Sequence, residues 1–410
     1  MSSTEFHFLT LDDVVTKGKT VFVRVDMNCP LDPQSKRILD DTRIKMTRET
    51  LESLKDAKVV VGSHQGRPGD EDFTSLEAHA KLLQNYVPQQ VKFVEDIIGP
   101  EARNQIKNLN AGEVLVLDNL RLCSEESLSG APEVLARTIF VQRLASVLDI
   151  YVNDAFATAH RAQASIVGLP AVVQAVAGKL MAKELKALNQ AYVEPQRPSV
   201  YVIGGAKADD KLPIIENILS AGKADRVLVG GVVANVFLRA SGVDFGETEN
   251  RKLEKSPVLL DRARTILSKY NGKVVLPKDL AISRNGKRLD VSVDRGTGGD
   301  AVWDIGKETS NEYAEIIKGS KTAVSSGPLG VFEEKGFDLG SKTVLEAMAE
   351  ASAFTVVGGG HMGSYAGMIG LDRRLSHIST AGGAMLAFLA GEELPGVQAL
   401  VKAATGHRAS

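Results

Sequence analysis

Several features that would assign a function quickly are scarce or missing in this sequence. It has only two cysteines, Cys29 and Cys123, in no C-x-x-C pair, so neither a disulfide framework nor a thiolate metal site is expected. The formal net charge of −2 offers no basic surface for nucleic acid or an anionic membrane. No stretch reaches the ~20 continuous apolar residues of a membrane span. The first residues carry Glu5, Asp12 and Asp13 without the apolar region of a signal peptide, so we expect a cytoplasmic protein.

Two familiar nucleotide-binding signatures are also absent or out of place. The sequence has no G-x-x-x-x-G-K-[ST] motif of a P-loop. Gly358, Gly360 and Gly363 in "VVGGGHMGS" satisfy G-x-G-x-x-G, but the dinucleotide fingerprint needs an acidic residue after the next strand. The next strand-like run, 375–380, is followed by "AGG" and no acid. These absences weaken the case for a nicotinamide dehydrogenase and leave a nucleotide site of another kind.

The sequence does show a regular alternation of short β-branched apolar runs and helical patterns. The continuous apolar character of the runs predicts strands covered on both faces. The predicted strands are 20–26, 57–64, 91–96, 113–119 and 149–155 in a first half, and 199–205, 225–231, 272–279, 321–327 and 353–360 in a second half. Helices are predicted between them, for example over 43–55 and 341–351. With 410 residues, the chain is expected to form an α/β fold of two doubly wound, Rossmann-like parallel-sheet domains.

The predicted boundary between the two domains is a helix. Residues 178–193 have a long amphipathic helix pattern, and the two prolines of "EPQRPS" end it. A helix that links two α/β domains is a natural hinge. We therefore predict a first domain over 1–177, a hinge helix with its linker over 178–198, and a second domain over 199–390.

The first half places polar and cationic side chains just after its predicted strands, where open α/β sheets bind ligands. They are Asp26, Asn28, His64, Arg67, Arg121, His160 and Arg161, and Arg43 opens the first long helix. Arginine suits a small anion with several charges because its planar guanidinium meets phosphate or carboxylate oxygens in pairs. Each residue taken singly also has an ordinary explanation, as a solvated surface charge or a structural histidine. Spacing alone leaves both interpretations open.

The second half places glycines after its predicted strands. Glycine-rich loops lie at 204–212, 230–237, 325–333 and 358–364. Such loops bring backbone N–H groups close to a polyphosphate, although α/β proteins also use glycine in turns that bind nothing. Lys207 and Lys211 lie four residues apart in the first loop and would share one face of a helix that begins there. The two halves together predict a nucleotide site and an arginine-rich anion site.

Seven motifs, in this order, resemble those of the phosphoglycerate kinase family. They are "RVDMNCPLD", "SHQGRP", "DNLR", "NDAFATAHRA", "GGAKADDKL", "GPLGVFE" and "SHISTAGGA". The resemblance runs from end to end, and the compact length and the histidine of "GGGHMGS" are similar to the archaeal branch. It implies two Rossmann-like lobes joined by a hinge, with residues 391–410 folding back onto the first lobe. The implied reaction is reversible phosphoryl transfer between ATP and the carboxylate of 3-phosphoglycerate, giving ADP and 1,3-bisphosphoglycerate, in glycolysis and gluconeogenesis.

The resemblance also implies roles for residues that match the family's motifs. Those for 3-phosphoglycerate are Asp26, Asn28, Arg43, His64, Arg67, Arg121 and Arg161. Those for the nucleotide are Gly205, Lys207, Lys211, Glu333, Gly358, Gly359, Gly360, His361, Met362 and Gly382. Arg43, Lys207 and Lys211 would form the catalytic set, and Glu333 would accept hydrogen bonds from the ribose. The acceptor is already an ionised carboxylate, so no general base is needed, and closure of the lobes would exclude water.

Three positions depart from the common pattern of this family. "GGGD" becomes "GGGH" at His361, "STGGGA" becomes "STAGGA", and the valine of "NVPLD" is Cys29. Only the first touches chemistry, since that aspartate is associated with the magnesium nucleotide. Neutral imidazole is a poor Mg²⁺ ligand, so we expect Mg²⁺ as MgATP or MgADP, held by phosphates, water and Asp209 or Asp210 rather than by a dedicated metal site. His361 either donates a hydrogen bond to a phosphate or is a spacer in the turn.

Two other functions stay open on the sequence alone. A nicotinamide dehydrogenase would need the missing ribose acid. A two-lobe binding protein for anionic metabolites would close on its ligand without turnover, and it would usually carry an export signal. Oligomeric state and nucleotide preference are left open.

Overall fold

The strands of this protein lie in three sheets, two of which are parallel. The computed structural model describes residues 7–406. In chain order, its strands are β1 (Thr20–Arg24), β2 (Lys58–Gly62), β3 (Gln90–Val94), β4 (Glu113–Leu117), β5 (Ile150–Asn153), β6 (Gln174–Ala177), β7 (Ser199–Ile203), β8 (Arg226–Val229), β9 (Val274–Val275), β10 (Asp279–Arg284), β11 (Lys287–Ser292), β12 (Val302–Ile305), β13 (Thr322–Ser326), β14 (Phe354–Val357) and β15 (His377–Ile378).

Helices connect most of these strands. In chain order they are α1 (Thr42–Met46), α2 (Arg48–Ser53), α3 (Glu77–Leu83), α4 (Pro100–Lys107), α5 (Pro132–Leu135), α6 (Ile139–Ala145), α7 (Lys179–Leu188), α8 (Ala208–Ser220), α9 (Gly231–Ala240), α10 (Glu247–Glu254), α11 (Pro257–Lys269), α12 (Lys307–Lys318), α13 (Leu339–Glu350), α14 (His361–Met368), α15 (Gly382–Leu389) and α16 (Pro395–Ala404). Over residues 7–406, no helix is both long enough and apolar enough to cross a membrane.

The helix predicted over 43–55 is two helices, α1 and α2. They meet at Thr47, whose Oγ1 donates a hydrogen bond to the carbonyl of Ile44 (2.7 Å). Such local bonds of threonine compete with the regular helical ladder, and periodicity does not reveal them. The break leaves Arg43 in the short first helix.

The described chain divides into two units. We call residues 7–186 with 393–406 the N-terminal unit, and residues 187–392 the C-terminal unit. The chain passes from one to the other inside α7, which gives way to a π-helical turn at Asn189–Val193 where the sequence predicted a single helix. Helix α16 belongs to the N-terminal unit, where the N–H of Gly396 donates to the carbonyl of Ala159 (2.8 Å).

The sheet of the N-terminal unit has six parallel strands in the order β3-β4-β2-β1-β5-β6. Its central strand β1 is buried on both faces, since Val21, Phe22 and Val23 are all inaccessible to solvent. Burial of each such side chain contributes about 1.5–3 kcal/mol relative to exposure. This confirms the doubly covered parallel sheet predicted from the continuous apolar runs. Strand β6 was missed because its short run, "QAVA", lacks β-branched residues apart from one valine.

The C-terminal unit has a second parallel sheet in the order β15-β14-β13-β7-β8-β9. The fold class predicted from the sequence, two doubly wound parallel-sheet domains, is therefore confirmed. The run 272–279 forms only the two-residue strand β9, because its second part turns away toward β10. The run 375–380, which looked strand-like, pairs as the two-residue strand β15.

An antiparallel sheet of β11, β10 and β12 also lies in the C-terminal unit, and we did not predict it. Strands β10 and β11 form a hairpin whose turn is Asn285-Gly286, with φ angles of 52° and 73°. Asn-Gly between two strands is a strong hairpin signal, since both turn residues need positive φ. The signal was overlooked because β11 is largely exposed and carries few apolar residues.

Candidate active site: an arginine cluster and a set of glycine loops

In the N-terminal unit, hydrogen bonds and an ion pair connect several of the predicted substrate-binding residues, and they involve the loops that follow β1 and β2. Asp26 forms an ion pair with Arg43, at the start of α1. The Oδ1 atom of Asp26 accepts from the N–H of Asn28 (3.1 Å), and Oδ1 of Asn28 accepts from the N–H of Gly66 (2.9 Å). The carbonyl of Gly66 in turn accepts from the guanidinium of Arg121. Residues from four separate segments are thereby held at one edge of the sheet.

His64 lies at the centre of this edge and is 3 % exposed. Burial, with the positive charges of Arg24, Arg121, Arg161 and Arg43, holds its pKa well below the usual value. Removing a histidine from water disfavours its charged form, and nearby cations do the same. His64 is therefore neutral at physiological pH, and arginines far apart in the sequence act on it together.

Four arginines at this edge, Arg43, Arg67, Arg121 and Arg161, form what we call the arginine cluster. Burial lowers the pKa of Arg121 to about 10, and Arg161 and Arg67 contribute to the shift. The pKa of Arg161 is also lowered, first by burial and then by neighbouring arginines, while Asp26 opposes the shift. Like charges held this close repel one another, so an anion placed among them is strongly favoured.

Three members of the arginine cluster line a cleft of about 300 Å³ within the N-terminal unit. Its walls are Arg67, Pro68, Arg121, Ser127, Arg161 and Gln163. The Nη1 atom of Arg161 is buried, and no group within residues 7–406 accepts a hydrogen bond from it. Buried polar groups in proteins are nearly always paired, so an orphaned guanidinium nitrogen marks a place for an acceptor. His160, also singled out from the sequence, is exposed.

In the C-terminal unit, four helices begin just beyond the ends of parallel strands. Helices α8, α9, α14 and α15 start after β7, β8, β14 and β15. The loops at 204–212, 230–237, 325–333 and 358–364, which we call the glycine loops, include the starts of three of these helices, and α15 starts at Gly382. Gly205 and Gly360 have φ angles of 108° and 76°, which only glycine adopts without strain. Helix N-termini present free N–H groups and a positive dipole end, and both favour phosphate.

The two lysines of the first glycine loop differ in environment. Lys211 is 7 % exposed, and its Nζ donates to Oγ of Ser326 at the end of β13 (2.9 Å). Burial lowers the pKa of Lys211 to about 8, and Asp210 opposes that shift. Lys207 is exposed at the position before α8. Lys211 is therefore fixed in place, and Lys207 lies in solvent.

The loop that contains His361 includes one glycine, Gly359, that has no room for a side chain. A Cβ on Gly359 would lie 2.3 Å from the carbonyl oxygen of Ser379. Gly358 donates its N–H to the carbonyl of Ser325 (2.7 Å). The side chain of Met362 is buried in the core, so only its backbone faces a ligand. The N–H of Gly358 is therefore occupied, and the N–H groups that this loop can offer to an anion begin at Gly359.

His361 is exposed at the start of α14, and its ring meets that of Phe332 edge-on, with centroids 6.2 Å apart. Phe332 precedes Glu333, which is exposed. Phe332 also packs on Tyr365 of α14 (4.9 Å between centroids). Through its contact with Phe332, His361 lies beside the loop that carries Glu333, the residue predicted to bind the ribose.

The antiparallel sheet that we did not predict holds the Glu333 loop in position. The N–H of Val331 donates to the carbonyl of Trp303 in β12 (2.7 Å). Asp304, the next residue, accepts from the N–H of Gly340 and from Nη1 of Arg288 (2.9 Å each). Burial raises the pKa of Asp304 to about 6, which its hydrogen bonds oppose. Trp303, Asp304 and Arg288 are therefore positioning residues that periodicity did not reveal.

Two further residues of the site were missed in the sequence. Arg24 is a charged residue inside the apolar run of β1, and that anomaly was its available signal. Ser326 holds Lys211, and nothing in its sequence context distinguishes it from other serines. Among residues 7–406, no three His, Cys, Asp or Glu side chains lie close enough to hold a metal ion.

Comparisons with known proteins point to one family. The family model "Phosphoglycerate kinase" matches residues 11–392. A phosphoglycerate kinase of Methanothermus fervidus is 45% identical over 403 residues, covering 97% of this chain and 98% of the relative. One from Methanosarcina mazei is 47% identical over 401 residues, covering 97% and 96%. The crystal structure of phosphoglycerate kinase from Pyrococcus horikoshii matches with a TM-score of 0.88 and 41% identity, covering 97% of this chain and 100% of that one.

Proposed function

This chain belongs to the phosphoglycerate kinase family, and on that premise we propose which of its residues carry the reaction. The family's enzymes are kinases that transfer a phosphoryl group reversibly between ATP and the carboxylate of 3-phosphoglycerate, in glycolysis. We assign 3-phosphoglycerate to the arginine cluster and the nucleotide to the glycine loops. The observation that carries the assignment is the buried Nη1 of Arg161, which has no acceptor among the described residues and borders a cleft lined by arginines.

The acceptor side needs charge and position rather than acid–base chemistry. The carboxylate of 3-phosphoglycerate is ionised at neutral pH and is itself the nucleophile. Arg67, Arg121 and Arg161 bind the unreactive phosphate in this proposal, and Asp26 and Asn28 orient the rest of the substrate. We assign to Arg43 the neutralisation of charge where the phosphoryl group moves. Its side chain is 42% exposed and paired with Asp26 rather than held in the core, so it is accessible to a substrate.

The nucleotide side relies on backbone N–H groups and one buried lysine. Lys211 neutralises the transferring phosphoryl group, and the approach of a phosphate raises the pKa of this lysine and keeps it charged. Lys207 contacts the phosphates from its exposed position before α8. Gly205, Gly359, Gly360, Met362 and Gly382 offer backbone N–H groups, whereas Gly358 lines the loop with its own N–H bonded to Ser325. Glu333 accepts from the ribose hydroxyls.

Mg²⁺ fits this site as part of the nucleotide rather than as a resident ion. The described residues contain no cluster of metal-ligating side chains, and Asp209 and Asp210 are exposed at the start of α8. These two carboxylates are the ones that would contact a nucleotide-bound ion. Mg²⁺ neutralises phosphate charge when bound. His361 donates a hydrogen bond to a phosphate of the nucleotide.

A cytoplasmic location of the protein stays a prediction.

A coupled assay tests the proposed function directly. Purified protein is mixed with MgATP and 3-phosphoglycerate, and 1,3-bisphosphoglycerate is trapped as it forms. We expect product only when both substrates and Mg²⁺ are present. Folded protein that binds 3-phosphoglycerate without transferring phosphate would instead support a binding protein. Reduction of a nicotinamide by a hydroxy acid would support a dehydrogenase.

A further inference from the structure

Arg24 is a buried charged residue that the proposed reaction does not use. It is the last residue of β1, and its side chain is 0 % exposed. A buried guanidinium costs several kcal/mol of desolvation unless its hydrogen bonds are satisfied. The hydrogen bonds of Arg24 therefore show what its charge does there.

The guanidinium of Arg24 is held from several sides. Its Nε donates to Oγ of Ser165 (2.8 Å), and its Nη1 donates to the carbonyl of Val25. Its Nη2 lies 3.9 Å from Oε1 of Glu126, which supplies the opposite charge. The N–H of Ser165 donates to Oε2 of Glu126 (2.8 Å), so the serine is itself held in place. These contacts fix the plane of the guanidinium.

The remaining contact of Arg24 is with the imidazole of His64. Nη2 of Arg24 lies 3.2 Å from Nδ1 of His64. A guanidinium has five N–H donors, has no acceptor and does not lose its proton in proteins. Nδ1 must therefore accept, which makes it the unprotonated nitrogen of the ring. A neutral imidazole then carries its single proton on Nε2.

We propose that Arg24 is a positioning residue that fixes His64 as the neutral Nε2–H tautomer, so that His64 donates a hydrogen bond to the bound anion without adding charge. Arg24, Arg43, Arg121 and Arg161 already act on the same imidazole. A protonated His64 would be a fifth cation among them and would add repulsion. The identity of the anion, though not the tautomer, rests on the proposed function.

Nitrogen NMR of the full chain with isotope-labelled histidine reads the tautomer directly. The signals of His64 are assigned by their loss in His64→Gln. We expect Nδ1 to resonate as unprotonated and Nε2 as protonated near neutral pH, without substrate. A proton on Nδ1, or on both nitrogens near neutral pH, would overturn the proposal. This measurement needs no turnover, so it is independent of the coupled assay.

Variants then separate positioning from simple structural support. Arg24→Met should allow both tautomers and raise KM for 3-phosphoglycerate roughly tenfold or more with little change in kcat. Ser165→Ala, which removes one bond to Arg24, should give a smaller change in the same NMR signals. Arg137→Met, an exposed arginine of the same unit, is the matched control and should leave the signals unchanged. If folded Arg24→Met kept the wild-type tautomer alone, Arg24 would not be what sets it.

Discussion

The arginine cluster and the glycine loops bind charge by opposite means. The arginine cluster uses charged side chains, and burial together with neighbouring arginines lowers the pKa values of two of them, Arg121 and Arg161. The glycine loops use helix N-termini, together with one buried lysine, Lys211. Dipoles of neutral peptide groups repel one another far less than assembled cations do. The comparison teaches that the first region is electrostatically strained without its ligand, whereas most of the second is not.

The largest effect should come from the arginine closest to the chemistry. Arg43→Ala should lower kcat by about 10²–10³-fold and change KM much less, because its charge is needed most as the phosphoryl group moves. Steady-state kinetics with both substrates measures this. Arg48→Ala, an exposed arginine on α2, is the control and should be silent. A rise in KM with kcat intact would reduce Arg43 to a binding residue.

The next effect separates binding from catalysis inside the arginine cluster. Arg161→Ala should raise KM for 3-phosphoglycerate by about tenfold to a hundredfold and largely spare kcat, since Arg161 is assigned to the unreactive phosphate. The same variant should be no less stable than wild type without ligand, because it removes a buried, unpaired guanidinium nitrogen and a charge that neighbouring arginines repel. Thermal melts with and without 3-phosphoglycerate check both points. Loss of kcat at unchanged KM would contradict the assignment.

Lys211 should show that the one buried charge of the glycine loops also costs stability. With a pKa of about 8 when folded and about 10.4 when unfolded, the lysine binds more protons in the unfolded chain between these values. Wild-type stability should therefore gain with rising pH from about 8 to 10, relative to Lys211→Met. At pH 7 the variant should be the more stable protein and the less active one. Denaturant melts at several pH values test this, with Lys252→Met, an exposed lysine, as control.

The smallest effect is expected at His361. Because the residue is exposed and its ring rests against Phe332, His361→Ala should weaken nucleotide binding by only about 1 kcal/mol. Calorimetry with and without Mg²⁺ measures this, and His361→Asp should restore affinity if the loop accepts a metal-facing carboxylate. Complete loss of Mg²⁺ dependence in His361→Ala would make the histidine a metal ligand. Unchanged affinity would make it a spacer.

Sequence periodicity predicted the parallel strands well because burial on both faces leaves a continuous apolar record. It failed where structure depends on single residues, as at Thr47, which breaks a helix, and at Asn285, which turns a hairpin. The position of residues after strands correctly suggested that His64 and the arginines lie together. It could not show that Arg24 contacts His64, since that depends on side-chain directions within a buried strand.

The most direct test of the central claim, one ligand for each region, is calorimetry of each ligand alone with two variants. Arg161→Ala should weaken binding of 3-phosphoglycerate and leave MgADP affinity unchanged. Lys211→Met should weaken binding of MgADP and leave 3-phosphoglycerate affinity unchanged. The assignment of the arginine cluster and the glycine loops would be wrong if both substitutions weakened binding of the same ligand. It would also be wrong if Arg161→Ala weakened binding of MgADP and Lys211→Met weakened binding of 3-phosphoglycerate.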